Sequence, residues 1–195
     1  MQKRCGRLNN KGFTMIELAI VLVIIGLLVA GVLKGRELIT SAKVKNVTLQ
    51  VKAVEAAVHT YQDKYRALPG DDIKASTRGF SPAAAGDGSG EGKITGASEP
   101  FLVPNHLAVS GLITGSYNGT SDNMQSKLGT NVTVATEEAG VQTKKGLNIM
   151  VENLPFEIAK AVDEAMDDGK YDTGSIVSAQ KYDGTDALAS IYYFF

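Results

Sequence analysis

The sequence predicts an α+β protein in which one long N-terminal α-helix, half membrane-spanning and half amphipathic, packs on a small antiparallel β-sheet head. Three observations predict it. From Phe13 to Leu33 the chain runs 21 residues with a single charge, Glu17. From Val44 to Tyr65 apolar residues recur at alternating spacings of three and four, the period of a helix face. After Leu68-Pro69-Gly70 the pattern shortens to two-residue alternations, the mark of half-buried strands.

The first element is the apolar run. As a helix it is roughly 30 Å long, the thickness of a bilayer's hydrocarbon core. The twelve residues before it contain Lys3, Arg4, Arg7 and Lys11 and no acid. A basic flank ahead of a membrane-length helix predicts a cytoplasmic N-terminus and an exported remainder. A secretory signal peptide fits less well: its apolar core is shorter, and cleavage after it would discard Glu17. Glu17 is the anomaly. A carboxylate in a lipid-facing helix costs about 2–3 kcal/mol and calls for a partner. The plain alternative is a side chain that snorkels to the headgroups or takes up a proton.

Gly12, Phe13, Thr14 and Glu17, in register with the basic flank and the apolar run, resemble the processing site of type IV prepilins and type II secretion pseudopilins. The resemblance implies a pilin-like fold and a structural role. It implies that residues 1–12 are a leader, removed by a prepilin peptidase that cuts between Gly12 and Phe13 and methylates the new amine of Phe13. Glu17 becomes the fifth residue of the mature chain, and its implied partner is the Phe13 amine of a neighbouring subunit. Opposite charges in a low dielectric offset each other's desolvation. Residues 13–67 are then the long helix, with 13–33 transmembrane before assembly, and 68–195 the extracytoplasmic head. The implied partners are the peptidase, other copies or related pilin-like subunits, and an inner-membrane assembly platform. The implied location is the bacterial inner membrane, then a periplasmic pseudopilus or a surface pilus. Four later segments, GVLKGRELITSAKVK, YRALPGDD, NHLAVSGLITG and IAKAVDEAMDDGKYDTGSI, also resemble bacterial proteins with pilin-type N-termini.

Charge and cysteine content narrow the class. The chain is −1 and the leader holds four basic residues, so the remainder is −5. That balance argues against a nucleic-acid partner, which favours a basic face. The single cysteine, Cys5, lies in the leader. Many type IV pilins close a C-terminal loop with a disulfide. This chain departs from them, which points to a pseudopilin or a disulfide-free pilin whose head is held by its core or by a metal.

The second half of the helix carries the seam Val44, Val47, Val51, Val54, Val58, Tyr61 and Tyr65. It fits packing on a sheet, with a coiled coil as the competitor. Gly26, Gly31 and Gly35 interrupt the membrane half. They allow close helix approach, or weaken the helix so that it stretches on assembly. Residues 68–100 read as a Gly-, Ser- and Asp-rich connection. Pro104–Ser110 reads as a short helix closed by Gly111, and 114–129 as loop. Asn131–Thr136 and Leu147–Val151 alternate as strands. Phe156–Met166 is a helix with Phe156, Ala159, Val162 and Met166 on one face. Ser175–Ala179 and Ala189–Phe195 are two more strands, joined by a turn at Asp183-Gly184.

Candidate sites outside the helix are few. Asp87, Ser89 and Glu91 alternate, with Gly92 sixth and Ile94 eighth, as in the first half of an EF-hand calcium loop. Position twelve is Ser98 in place of the bidentate Glu, with Glu99 next to it. Major pseudopilins, which the helix resembles, are known to bind calcium; a solvated Gly-rich loop is the other reading. Asp163, Asp167, Asp168 and Asp172 surround the end of the last helix, where the macrodipole disfavours them. A Gly169 cap, Lys170 and backbone N–H groups account for them structurally, and a cation is a third option. Asp71 and Asp72 read as turn formers. His59 and His106 sit on separate helices without a cysteine, so zinc is not expected, and His106 reads as a core or capping contact. Asn46, Asn118 and Asn131 head glycosylation-like tripeptides of no weight in a bacterial-type chain. No catalytic constellation stands out, so no enzyme is expected. The sequence points first to a filament subunit, and second to a membrane-tethered module that captures a ligand or DNA.

Overall fold

The computed structural model describes residues 12–80, 86–139, 144–183 and 187–195. The leader up to Lys11 and Gly184 of the expected turn lie outside the described residues. Two compact units divide the chain, Met1–Ser41 and Ala42–Phe195.

Helix α1 is continuous over Met15–Tyr65. In the first unit its side chains are exposed, from Ile16 through Leu33 and on to Ile39. In the second unit its seam is buried: Val47, Val51, Val54, Ala57, Val58 and Tyr61. The helix ends two residues before the expected Ala67, because Arg66 turns left-handed with φ 56° and its N–H closes on the Gln62 carbonyl at 2.8 Å.

The sheet has five antiparallel strands in the order β1-β2-β3-β5-β4, giving the α+β class expected. The strands are β1 Met124–Gln125, β2 Asn131–Ala139, β3 Lys144–Pro155, β4 Ile176–Ser178 and β5 Leu188–Phe194. Register sets the core. Val134 lies opposite Ile149, and Ile149 opposite Tyr193. Val132 lies opposite Val151, and Val151 opposite Ile191. These residues are buried on the face that carries α1. Tyr192, Val177 and Phe194 form a smaller cluster on the other face. The C-terminal IYYFF segment thus enters the sheet interior, paired on both sides, as its apolar content requires.

Several boundaries differ from the sequence reading. The helix expected from Pro104 is α2, Glu99–Val109, five residues longer at its start, with Pro104 inside it. Pro100 occupies the first turn, where a missing N–H costs nothing. Strand β3 extends beyond Val151 through a shift in register before Leu154, with Asn153 at φ 52°. A 3-10 turn at Ser76–Arg78 and the two-residue β1 lie in stretches read as loop. Helix α3, Phe156–Met166, keeps its bounds and, through Ala159, Val162 and Met166, most of its expected face. Ile158, Ala159, Val162 and Asp163 are buried, while Phe156 and Met166 are half-buried.

Candidate functional site

Thr14 and Glu17 build the entry to α1. The Glu17 carboxylate accepts the Thr14 backbone N–H and the Thr14 hydroxyl through Oε2, both at 2.8 Å, and the Thr14 Oγ1 accepts the Glu17 N–H at 3.3 Å. This is a capping box, in which the N-cap hydroxyl and the N3 carboxylate satisfy each other's free N–H groups. It leaves Glu17 Oε1 without a partner among the described residues. Phe13, one residue ahead, is 82 % exposed. The sequence contained this signal as Thr-x-x-Glu, but the sequence reading did not use it.

The helix that follows is apolar on every side. Leu18, Ile20, Leu22, Ile24, Leu27, Val29 and Leu33 are all exposed. It is the one helix among the described residues long and apolar enough to cross a membrane. Apolar surface all round a helix needs lipid or other helices. A Cβ added at Gly26, Gly31 or Gly35 would meet nothing within 4 Å, so these glycines mark open surface in the single chain.

The predicted calcium residues do not converge. Asp87 accepts the Ser76 N–H at 2.6 Å and the Ser76 hydroxyl at 2.7 Å. The loop after it turns its donors inward. Asp71 accepts the Ser89 hydroxyl at 3.0 Å and the N–H groups of Gly90, Glu91 and Gly92 at 2.5, 3.0 and 2.6 Å. Glu99 accepts the N–H groups of Ser89 and Thr95 at 2.8 and 2.7 Å. Inward N–H groups hold an anion; a calcium loop must turn oxygens inward. In this geometry the donor set does not fit the ion, and Asp71 fills the loop.

Asp72 does form the expected turn, accepting the Lys74 N–H at 2.9 Å. It is also buried, accepting the Tyr61 hydroxyl at 2.9 Å and pairing with Arg78. Burial and this hydrogen bond push the Tyr61 phenol far up. His106 is fully buried, stacked on Tyr61. Its Nδ1 accepts the Gly70 N–H at 3.0 Å, so the neutral ring carries its proton on Nε2, which is buried without a partner. Burial pushes its pKa down to about 4. His59 is exposed, with its ring edge-on to Phe195; the two histidines form no joint site.

Asp163, Asp167 and Asp168 do come together, each offering an oxygen within 4.8 Å of the others. Backbone groups hold them as the structural reading expects. Asp167 accepts the Ile176 N–H, Asp168 the Lys170 N–H and the Thr173 hydroxyl, and Asp163 the Gly169 N–H. Gly169 takes the left-handed conformation at φ 74°. Burial pushes the Asp163 carboxyl up to about 6.

Among known families, residues 7–33 match the one described as the prokaryotic N-terminal methylation motif. The chain carries a prepilin-type N-terminus. The matched stretch covers Arg7 and Lys11 of the basic flank, the capping box and the exposed apolar helix, and stops where the charges Lys34, Arg36 and Glu37 begin. No curated protein and no solved structure matches the chain. The prepilin-type signature therefore rests on the helix and its entry, and the head stands on its own geometry.

Proposed function

We propose that this chain is a structural subunit of a type IV pilus or a type II secretion-like filament. The observation that supports it is the coincidence of the methylation motif at residues 7–33 with a helix whose apolar residues are exposed on every side. A prepilin peptidase cuts between Gly12 and Phe13 on the cytoplasmic face and methylates the Phe13 amine. The apolar helix holds the subunit in the inner membrane with its head outside. On assembly, helices leave the bilayer and bundle, replacing lipid contacts with one another. Glu17 sets the register. Its Oε2 is engaged by Thr14, and its Oε1 receives the Phe13 amine of the next subunit.

The test is the mass and N-terminal sequence of the protein extracted from membranes. A chain beginning at N-methylated Phe13 is expected. A chain beginning at Met1 would leave a plain membrane anchor and move the reading to a tethered binding module. A start beyond residue 30 would mean signal-peptide cleavage and a free head.

A further inference from the structure

Two hollows in the second unit, Ala42–Phe195, adjoin at Tyr117 and Gln125, which line both. The first, of about 520 Å³, lies between α1 and the stretch joining α2 to β1, and Leu49, Ala53, Leu112, Ile113 and Met124 give it an apolar wall. The second, of about 390 Å³, has the opposite chemistry. Apart from Tyr117 its walls are hydroxyl, amide and carboxylate residues, among them Ser121, Asp122, Asn123 and Asn131. Among the described residues no lysine, arginine or aliphatic side chain lines it. The loop between the hollows is held in shape. Asn118 Oδ1 accepts the N–H groups of Thr120, Ser121 and Asp122 at 2.8, 3.0 and 3.2 Å. Asn105 Nδ2 donates to the Tyr117 carbonyl at 2.6 Å. Gly115, at φ 134°, lies so close to the Tyr117 ring that an added Cβ would come within 2.7 Å of it. The unmet polar atoms around this loop are acceptors. Gln50 Oε1, Asn105 Oδ1 and Asn123 Oδ1 are buried without a donor, while the NH₂ groups of Gln50 and Asn105 are taken by the Gln125 and Tyr117 carbonyls. Asp122 accepts the Asn118 N–H through Oδ2 and keeps Oδ1 free among the described residues.

We propose that these two hollows together bind a saccharide carrying N-acetyl groups. A buried acceptor without a donor costs about 1–3 kcal/mol, so these walls are stabilised by a ligand that brings donors to them. Sugar hydroxyls turn to donate; a peptide brings a fixed carbonyl for every N–H and relieves the walls less. The amides and the carboxylate of the polar hollow are the groups that pair with neighbouring hydroxyls, and the Tyr117 ring is a surface for the C–H face of a sugar. A polar hollow without a cation does not select an acidic ligand; Lys127 lines the apolar hollow. That apolar hollow takes the acetyl methyl, which gains by leaving water. A small number of placed polar groups beside an apolar wall is the ordinary make-up of a ligand site, and a loop already held in shape loses little entropy on binding. The site lies in the head, apart from the methylation motif, and does not rest on the filament reading.

The test is saturation-transfer NMR on the full-length protein in phosphocholine-detergent micelles, which contain no sugar, with protein-free micelles as the blank. The probes are N,N′-diacetylchitobiose and cellobiose, which share a skeleton and differ in the acetamido groups. Transfer to diacetylchitobiose, strongest at the acetyl methyls, is expected, with cellobiose bound about tenfold more weakly. Leu49 is 58 % exposed and Gln125 is exposed, so L49S and Q125A keep the fold, which an unchanged Tm checks. Each is expected to weaken binding about fivefold. I73S, which removes an exposed apolar side chain that lines neither hollow, is expected to bind as wild type. Absence of transfer to either sugar, equal binding of the two, wild-type binding by both L49S and Q125A, or equal weakening in I73S would each overturn the assignment.

Discussion

At the scale of single residues, Glu17 carries two demands that one substitution separates. It caps α1 through Thr14, and in the proposed filament it pairs with an amine. Glutamine can still close a capping box but carries no charge. E17Q is therefore expected to be processed normally and to yield no filaments, whereas T14A weakens the helix start by about 1 kcal/mol and still assembles. Wild-type filament yield from E17Q, seen by electron microscopy of sheared material, would reduce Glu17 to a cap. His106 supports a second prediction. Its pKa in the fold is about 4 against an ordinary 6.5, so the folded state resists the proton that the unfolded chain accepts. Its stabilising contribution is full above pH 6.5, falls as pH drops from 6.5 to 4, and levels off below that. The total is on the order of 3 kcal/mol. Denaturant melts at pH 7 and pH 4 should show wild type losing about that much more than H106Q. Equal losses would mean that acid acts elsewhere. Glu17 was legible in the sequence because a lone charge in an apolar run stands out. His106 was legible as a core or capping contact, and it is buried; its partners Tyr61 and Gly70 were not legible, because they approach it only in the fold.

At the scale of elements, legibility followed period and length. The seam of α1 and the bounds of α3 were readable from spacing alone, since a helix repeats its pattern over several turns. Strands β2 and β3 were found but cut short, because the residues of their shared hairpin that extend them are mostly polar, and the two-residue β1 was read as loop. The Gly-rich loop is a different case. Alternating oxygens and glycines fit both a cation loop and an anion cradle, and the deciding residue, Asp71, lies 19 residues before Gly90. The cradle makes a sharp demand on Gly88, whose added Cβ would sit 2.3 Å from the Asp71 Cα and 2.4 Å from the Gly70 carbonyl oxygen. Neither is a movable side-chain end. G88A is expected to cost about 3 kcal/mol, a drop of roughly 10 °C in Tm. Gly92 has φ 76° but open space around it, so G92A costs only about 1 kcal/mol. Thermal melts followed by tyrosine circular dichroism rank the two; equal losses would show that the loop does not close on Asp71.

At the scale of the whole molecule, the chain joins two solvents' worth of surface. Every buried apolar residue of the core lies at Val47 or beyond, while the exposed large apolar residues crowd between Phe13 and Ile39. The N-terminal stretch is the part that a family pattern captures, and in the proposed function a bilayer and a peptidase constrain it residue by residue. The same division predicts that the second unit, Ala42–Phe195, folds without the first. Removing the residues before Ala42 takes away none of the buried side chains and none of the strand pairs. It also removes the apolar surface that demands detergent. A chain starting at Ala42 is expected to be soluble in plain buffer. Its Tm should lie within about 3 °C of the full-length protein in micelles, because no core contact worth a kilocalorie is lost. A broad melt without tyrosine circular dichroism would mean that the residues before Ala42 hold the head together, and the separation of membrane half from folded half would fall.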